Sequence, residues 1–216
     1  MKRGLGRLWS ENKGILLFLV LMVVFRSALA DWNSVPTGSM KPTIIEGDRI
    51  LVNKVAYDLR LPFMHTSLLK LADPERGDII IFDSAVSEQR LVKRVVGVPG
   101  DVVEMRNNRL IINGQALQYH ALDGNRQFVD LNEDLPGASH AVRILTRGSI
   151  RSSFAPLRIP EQYYLALGDN RNNSADSRVI GLVPRNEIIG RTRSVVMSLD
   201  YDNYFIPRSE RFFKKL

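Results

Sequence analysis

A serine fixed in a rigid turn and a lysine set among apolar neighbours are the residues of this chain best suited to chemistry. Ser39 lies in Val35-Pro36-Thr37-Gly38-Ser39-Met40-Lys41-Pro42-Thr43. Pro36 and Pro42 fix φ and remove a backbone donor at each end, and Gly38 reaches angles other residues avoid, so the stretch predicts a non-helical turn that holds the hydroxyl in place. A serine hydroxyl becomes a useful nucleophile when a neighbouring base takes its proton, and an adjacent backbone N–H can stabilise the oxyanion that forms. Alone, the stretch reads first as an ordinary turn or cap. The base decides the matter.

His65, His120 and His140 lie in turn-rich or polar segments without the spacing of a metal site, and are expected at the surface. One of them remains available for a Ser-His-Asp arrangement, because triads assemble from distant parts of a chain. Lys93 is the better candidate. It sits in Gln89-Arg90-Leu91-Val92-Lys93-Arg94-Val95-Val96-Gly97-Val98, which predicts a strand with Lys93 and Arg94 on opposite faces, one buried and the other solvated. A lysine acts as a base only where burial disfavours its charge, and bringing its pKa near 8 requires roughly 3 kcal/mol of destabilisation. The residues alone leave the converse open, with Lys93 in solvent and Arg94 against a carboxylate.

The chain has 216 residues, 44% of them hydrophobic, which suits a globular protein with a proper core. Its net charge of +7 lies at the two ends, about +4 through Arg26 and +3 from Arg208 onward, leaving the middle neutral. That distribution argues against a nucleic-acid-binding face and suits anionic lipid. There is no cysteine, hence no disulfide, thiolate or Cys-ligated metal. Gly14 to Phe25 is apolar and uncharged, with basic residues before it and Arg26 after it. A run to Trp32 reaches the length of a bilayer span if Arg26 snorkels and Trp32 lies at the interface. Ala28-Leu29-Ala30 also has the small-x-small form of a cleavage site, so a cleavable signal is the competing reading. Either way the basic N-terminus stays in the cytoplasm and everything after Trp32 lies on the other side. The expected organisation is a basic segment 1–13, an anchor 14–32 and an extracytoplasmic domain 33–216.

Gly47-Asp48, Gly77-Asp78, Gly100-Asp101 and Gly168-Asp169 each abut an apolar run and read as turns between strands. Val102 to Met105 and Arg109 to Ile112, joined through Asn107-Asn108, give the clearest hairpin signal. From 118 to 158 the patterning weakens, which predicts an insertion or cap on the sheet. No amphipathic helix of length is expected after Trp32, and the fold class is mostly β.

Four segments, Pro36 to Thr43, Arg76 to Phe82, Lys93 to Asp101 and Gly168 to Arg178, resemble in order the sequence boxes of bacterial type I signal peptidases. The resemblance implies an antiparallel β-sheet catalytic domain with one N-terminal transmembrane helix and no cofactor or metal. It implies a single-pass protein of the bacterial cytoplasmic membrane whose domain on the periplasmic side cleaves signal peptides from exported preproteins after Ala-x-Ala sites. Ser39 is then the nucleophile and neutral Lys93 the general base. Ser39 N–H and the Thr37 hydroxyl form the oxyanion hole, Ser174 bonds the Lys93 amine, and Asp176 and Arg178 pair to hold the loop. Val35, Met40 and Val92 line shallow pockets for small substrate side chains. The implied partners are signal peptides and the lipid bilayer, with no nucleic acid.

The chain departs from the family pattern at Asn172, where an acidic residue is common, which leaves a charge pair for Arg171 in doubt. The basic, aromatic segment from Tyr204 to Lys215 is expected to rest on lipid. Rival readings are a Ser/Lys peptidase dedicated to one substrate such as a conjugative pilin, a self-cleaving Ser-Lys protein, and a non-catalytic membrane-tethered β-domain that binds exported proteins.

Overall fold

Three of the four Gly-Asp pairs build the same turn. Gly47, Gly77 and Gly100 have φ of 88°, 90° and 90°, and the following aspartate donates its N–H to the carbonyl three residues back, at 3.1 Å each time. The carboxylates of Asp48, Asp78 and Asp101 then accept the N–H of Ile45, Glu75 and Val98 at 2.9, 3.1 and 3.0 Å. A positive φ at the third of four residues defines a type II turn, which glycine adopts without strain. Gly168 differs: its φ is not in that region, and what restricts it is space, as the site below makes clear.

In the computed structural model, which describes residues 2–63 and 66–216, these turns feed an antiparallel sheet. Its strand order is Ala30–Ser34, Asp48–Asn53, Ile188–Asp200, Ile79–Ser84, Gln89–Gly97, Tyr163–Leu167 and Val183–Pro184, with Ile206–Pro207 added on Ile188–Asp200. The middle of the sheet is covered on both sides. Val35, Met40, Ile44, Ile79 and Ile81 belong to one apolar cluster, and Tyr57, Ile80, Phe82, Val95 and Tyr164 to another. A strand buried on both faces reads as a continuous apolar run, which is how Ile79 to Phe82 and Val95 to Val98 read. Arg94 is therefore not solvated as the alternation predicts. Lys93 and Arg94 are 2% and 5% exposed.

The predicted hairpin forms with Met105 opposite Leu110 and Val103 opposite Ile112. Asn107 and Asn108 both take positive φ at its turn, 49° and 61°, as a two-residue hairpin with type I′ geometry requires. Its apolar face joins Val96, Leu135, Ile159 and Leu165 in a third cluster. The segment from 118 to 158 contains more regular structure than its patterning announces. Tyr119–Gly124, Phe128–Leu135 and Ala138–Leu145 form a three-stranded antiparallel sheet, and Phe154–Arg158 pairs with Val102–Arg106. His140 lies inside this sheet, 7% exposed, and so is no surface histidine. His120 is exposed, and His65 lies outside the described residues.

The N-terminal helix runs Lys2–Ala28, and Ala30–Ser34 is already strand. Ile15, Leu17, Phe18, Val20 and Leu21 project from the helix more than half exposed. Among the described residues no helix is long and apolar enough to cross a membrane. The helix is fastened where it meets the sheet. Lys54 Nζ donates to the Arg26 carbonyl at 2.7 Å, and Arg26 holds Asp31 and lies over the Trp32 ring, 4.3 Å from its centroid.

The C-terminal segment is likewise fastened. Arg211 is buried against Asp48 at 2.8 Å, Arg208 donates to the Glu46 carbonyl at 2.9 Å, and Leu216 packs on the cluster around Met40. Those two arginines serve the fold, whereas Tyr204, Phe205 and Phe213 stay exposed.

Candidate active site

Gly38–Met40 forms a single 3-10 turn. Thr37 precedes it in extended conformation, with φ −130° and ψ 152°, and its hydroxyl makes no capping bond. The turn is tied down through its carbonyls. Lys41 N–H donates to Gly38 at 3.1 Å, Ile44 N–H to Met40 at 3.0 Å, and Asn170 N–H to Ser39 at 3.0 Å, while Asn170 Nδ2 donates to Gly38 at 2.9 Å.

Lys93 reaches this turn from the Gln89–Gly97 strand. Its Nζ donates to Ser39 Oγ at 2.9 Å and to the Val92 carbonyl at 2.8 Å. Burial lowers its pKa to about 8, against the opposing pull of the Asp176 and Asp169 charges. About a tenth of the lysine is therefore neutral at pH 7, with a hydroxyl in hydrogen-bond reach. On the other face of the strand Arg94 grips Asp169 with two bonds of 2.9 and 2.8 Å, and Thr43 Oγ1 donates to the same carboxylate at 2.5 Å. Burial works to raise the Asp169 pKa, but Arg94 outweighs it and holds the carboxyl below its usual range.

The loop after Tyr163–Leu167 closes the site from behind. Asp176 and Arg178 pair at 2.7 Å, and Asp176 also accepts the Gly168 N–H at 2.9 Å. Burial would raise the Asp176 pKa, yet the bonds and charge of Arg178 hold it low. Ser174 is buried, and Lys93 Nζ bonds Ser39 Oγ and the Val92 carbonyl instead, so the bond to the Lys93 amine expected from the sequence is not made in this structure. A Cβ on Gly168 would lie 2.3 Å from Ser174 Oγ and 2.5 Å from the Ser39 carbonyl oxygen, so only glycine fits there.

An open cleft of about 270 Å³ lies over the pair, lined by Ser34, Val35, Thr37, Ser39, Met40, Val92 and Lys93 among others. The three residues expected to line substrate pockets and the serine, lysine and threonine thus share one cavity wall. Ser174, Asp176 and Arg178 do not line it. Among the described residues no group of three His, Asp or Glu side chains could hold a metal ion.

A family model described as signal peptidase, peptidase S26, matches residues 9–197. The chain belongs to the signal peptidase family. Membership makes it a peptidase, a hydrolase. It is 39% identical over 207 residues to a signal peptidase I of Pseudomonas aeruginosa, covering 87% of this chain and 72% of that protein. It is 32% identical over 197 residues to a signal peptidase I of Bacillus amyloliquefaciens, covering 90% and 88%. The crystal structure of a signal peptidase I from Enterococcus faecalis V583 aligns at 30% identity over 56% of this chain and 98% of that one, with a TM-score of 0.37.

Within this signal peptidase fold, sequence reasoning gave no role to Asn170, Thr43 or the Arg94–Asp169 pair. Asn170 and Asp169 stand in the fourth box, but their work is to tie one backbone segment to another, which no residue pattern announces. The sequence reads Gly168 as a turn glycine, whereas its proximity to the Ser39 carbonyl is a matter of space.

Proposed function

We propose that this chain is a membrane-anchored serine endopeptidase that removes N-terminal signal peptides from exported preproteins after Ala-x-Ala sites, with Ser39 as nucleophile and Lys93 as general base. The observation that carries the proposal is the 2.9 Å contact between Lys93 Nζ and Ser39 Oγ in an apolar-walled cleft, with the lysine pKa brought down to about 8. The neutral amine takes the Ser39 proton as Oγ attacks the scissile carbonyl carbon. Ser39 N–H and the uncommitted Thr37 hydroxyl receive the oxyanion. Collapse breaks the C–N bond, the Lys93 ammonium protonates the departing amine, and an acyl-enzyme remains. Water, deprotonated by the same lysine, then attacks the acyl carbon, the C–Oγ bond breaks as the lysine returns that proton to Ser39, and the signal peptide leaves.

Val35, Met40 and Val92 form short apolar walls that admit alanine and exclude bulk. Asp176 and Arg178 hold the loop behind the lysine, and buried Ser174 takes the amine as it moves through the cycle. The exposed apolar helix side chains, the basic residues ahead of Gly14 and the exposed Tyr204, Phe205 and Phe213 suit a single anchor in the cytoplasmic membrane of a bacterium, with residues 33–216 on its outer face. The matching of family model and relatives to signal peptidase I supports the substrate class.

The test is cleavage of an Ala-x-Ala preprotein by wild-type, Ser39→Ala and Lys93→Arg chains in detergent. Arginine keeps charge and approximate length but cannot be deprotonated, so it separates base catalysis from packing. Loss of nearly all cleavage in both variants, with circular dichroism unchanged, is expected. Residual activity in Lys93→Arg near the wild-type rate would place the base elsewhere.

A further inference from the structure

Arg171 sits in the turn that carries Asn170, and its side chain is 1% exposed. A buried guanidinium requires a carboxylate, and neighbouring Asn172 offers none. Asn172 Oδ1 instead accepts from Leu145 N–H at 3.0 Å and Asn108 Nδ2 at 3.3 Å. The charge is supplied from elsewhere. Glu133, in the central strand of the three-stranded sheet, places Oε1 2.6 Å from Arg171 Nη2, and its Oε2 accepts the Tyr119 hydroxyl at 2.6 Å. His140 Nε2 lies 3.4 Å from Glu133 and 3.8 Å from Asp169, between the two carboxylates.

The same sheet grips the backbone of that turn. Arg143 N–H donates to the Asp169 carbonyl at 2.8 Å and Arg171 N–H to the Arg143 carbonyl at 2.9 Å, a one-step bridge beside Asn170. On its far side Asn170 donates to the carbonyls of Ser39 and Gly38. Residues 169–171 are thus stapled between the sheet and the nucleophile's own backbone.

We propose that the three-stranded sheet braces the active site and that Glu133 is a positioning residue, fixing Ser39 against Lys93 through Arg171 and Asn170. Without the Glu133 charge, Arg171 is an unpaired cation in the interior. It finds water only by displacing its turn, and the turn carries the Asn170 bonds with it. The effect on rate rests on the Ser39/Lys93 reading; the effect on the turn does not.

Two variants of the full chain in detergent test the brace. Glu133→Gln removes the charge at constant shape. Glu133→Met/Arg171→Met removes both charges at similar volume, an exchange that buried ion pairs commonly tolerate without loss of stability. The readouts are Tm, kcat and KM on an Ala-x-Ala preprotein, and amide hydrogen exchange in segments 36–44 and 166–178. A displacement of about 1 Å at reacting atoms costs on the order of 100-fold. Glu133→Gln is accordingly expected to lower kcat about 10- to 100-fold with KM changed less than about threefold, and to speed exchange in both segments. The double variant leaves no unpaired charge but also no side-chain tie from the sheet to the turn, and is expected to keep its Tm yet lose about tenfold in kcat. Wild-type kcat in the double variant, with exchange at 36–44 unchanged, would overturn the proposal, since the pair would then serve stability alone. If Glu133→Gln does not fold, the double variant decides. If the wild type cuts no Ala-x-Ala preprotein, the dyad or substrate reading fails separately, and faster exchange at 36–44 still supports the brace while unchanged exchange overturns it.

Discussion

Lys93 and Ser39 stand 54 residues apart in sequence and 2.9 Å apart in space. The lysine reaches the serine from a strand covered on both faces, so its position and its lowered pKa have one cause, burial among apolar side chains.

Activity should follow the neutral fraction of Lys93. With a pKa of about 8, kcat/KM is expected to fall about tenfold per unit as pH drops below that value and to level off above it. A profile measured from pH 6 to 10 checks this. A flat profile between 7 and 9 would remove Lys93 as the base.

The same shift has a cost in stability, with a definite sign. The folded-state pKa lies below the ordinary 10.5, so between about 8 and 10.5 the unfolded chain holds a proton that the folded chain has released. Stability therefore rises with pH across that window, and the penalty, roughly 3 kcal/mol, is fully present below it. Lys93→Met is expected to abolish cleavage while raising Tm at pH 7 by several degrees, with the gain shrinking as pH approaches 10. Thermal melts of both proteins at pH 7 and pH 10 test the pair of effects. A Tm lowered at pH 7 would contradict them.

Gly168→Ala should damage catalysis more than folding. The new methyl group meets the Ser39 carbonyl oxygen and Ser174 Oγ, one of them backbone, so the serine turn must shift. A loss of about 100-fold in kcat is expected, with a modest fall in Tm. Equal kcat in the two proteins would mean that the turn has slack the structure does not show.

Val92→Ala should widen the cleft wall beside Lys93. Preproteins with valine in place of an alanine at the cleavage motif are expected to gain about tenfold in kcat/KM relative to the alanine substrate. Competition between the two substrates gives the ratio directly, and an unchanged ratio would place the selective wall elsewhere.

The sequence announced the parts of this protein whose physics is apolar. The hairpin at Asn107-Asn108, three type II turns and the strand carrying Lys93 all follow from hydropathy and turn chemistry. Hidden were the parts held by paired charges. The strand Phe128–Leu135 buries Leu131, Glu133 and Leu135 on one face, and a glutamate in the middle of that face erases the alternation that marks a strand. Arg94 and Arg171 are hidden for the same reason: each looks solvent-seeking alone and is interior because a distant carboxylate meets it. The Asp176–Arg178 pair became visible only through family resemblance. The anchor expected to run to Trp32 ends sooner as helix, at Ala28, because Ala30, Asp31 and Trp32 already pair with Asn53, Val52 and Leu51 as strand.

The junction of helix and sheet bears on the enzyme's own safety. Ala28-Leu29-Ala30 spells the motif that the cleft is proposed to cut, yet Ala28 is the last residue of the helix, Leu29 N–H is bonded to the Phe25 carbonyl, and Ala30 is paired with Asn53. A scissile segment has to lie extended in the cleft, and this one is occupied with being folded. Held in this way, the motif is a poor substrate for the proposed cleft. Under the proposed activity, local folding as well as the Ala-x-Ala spelling would decide which segments are cut.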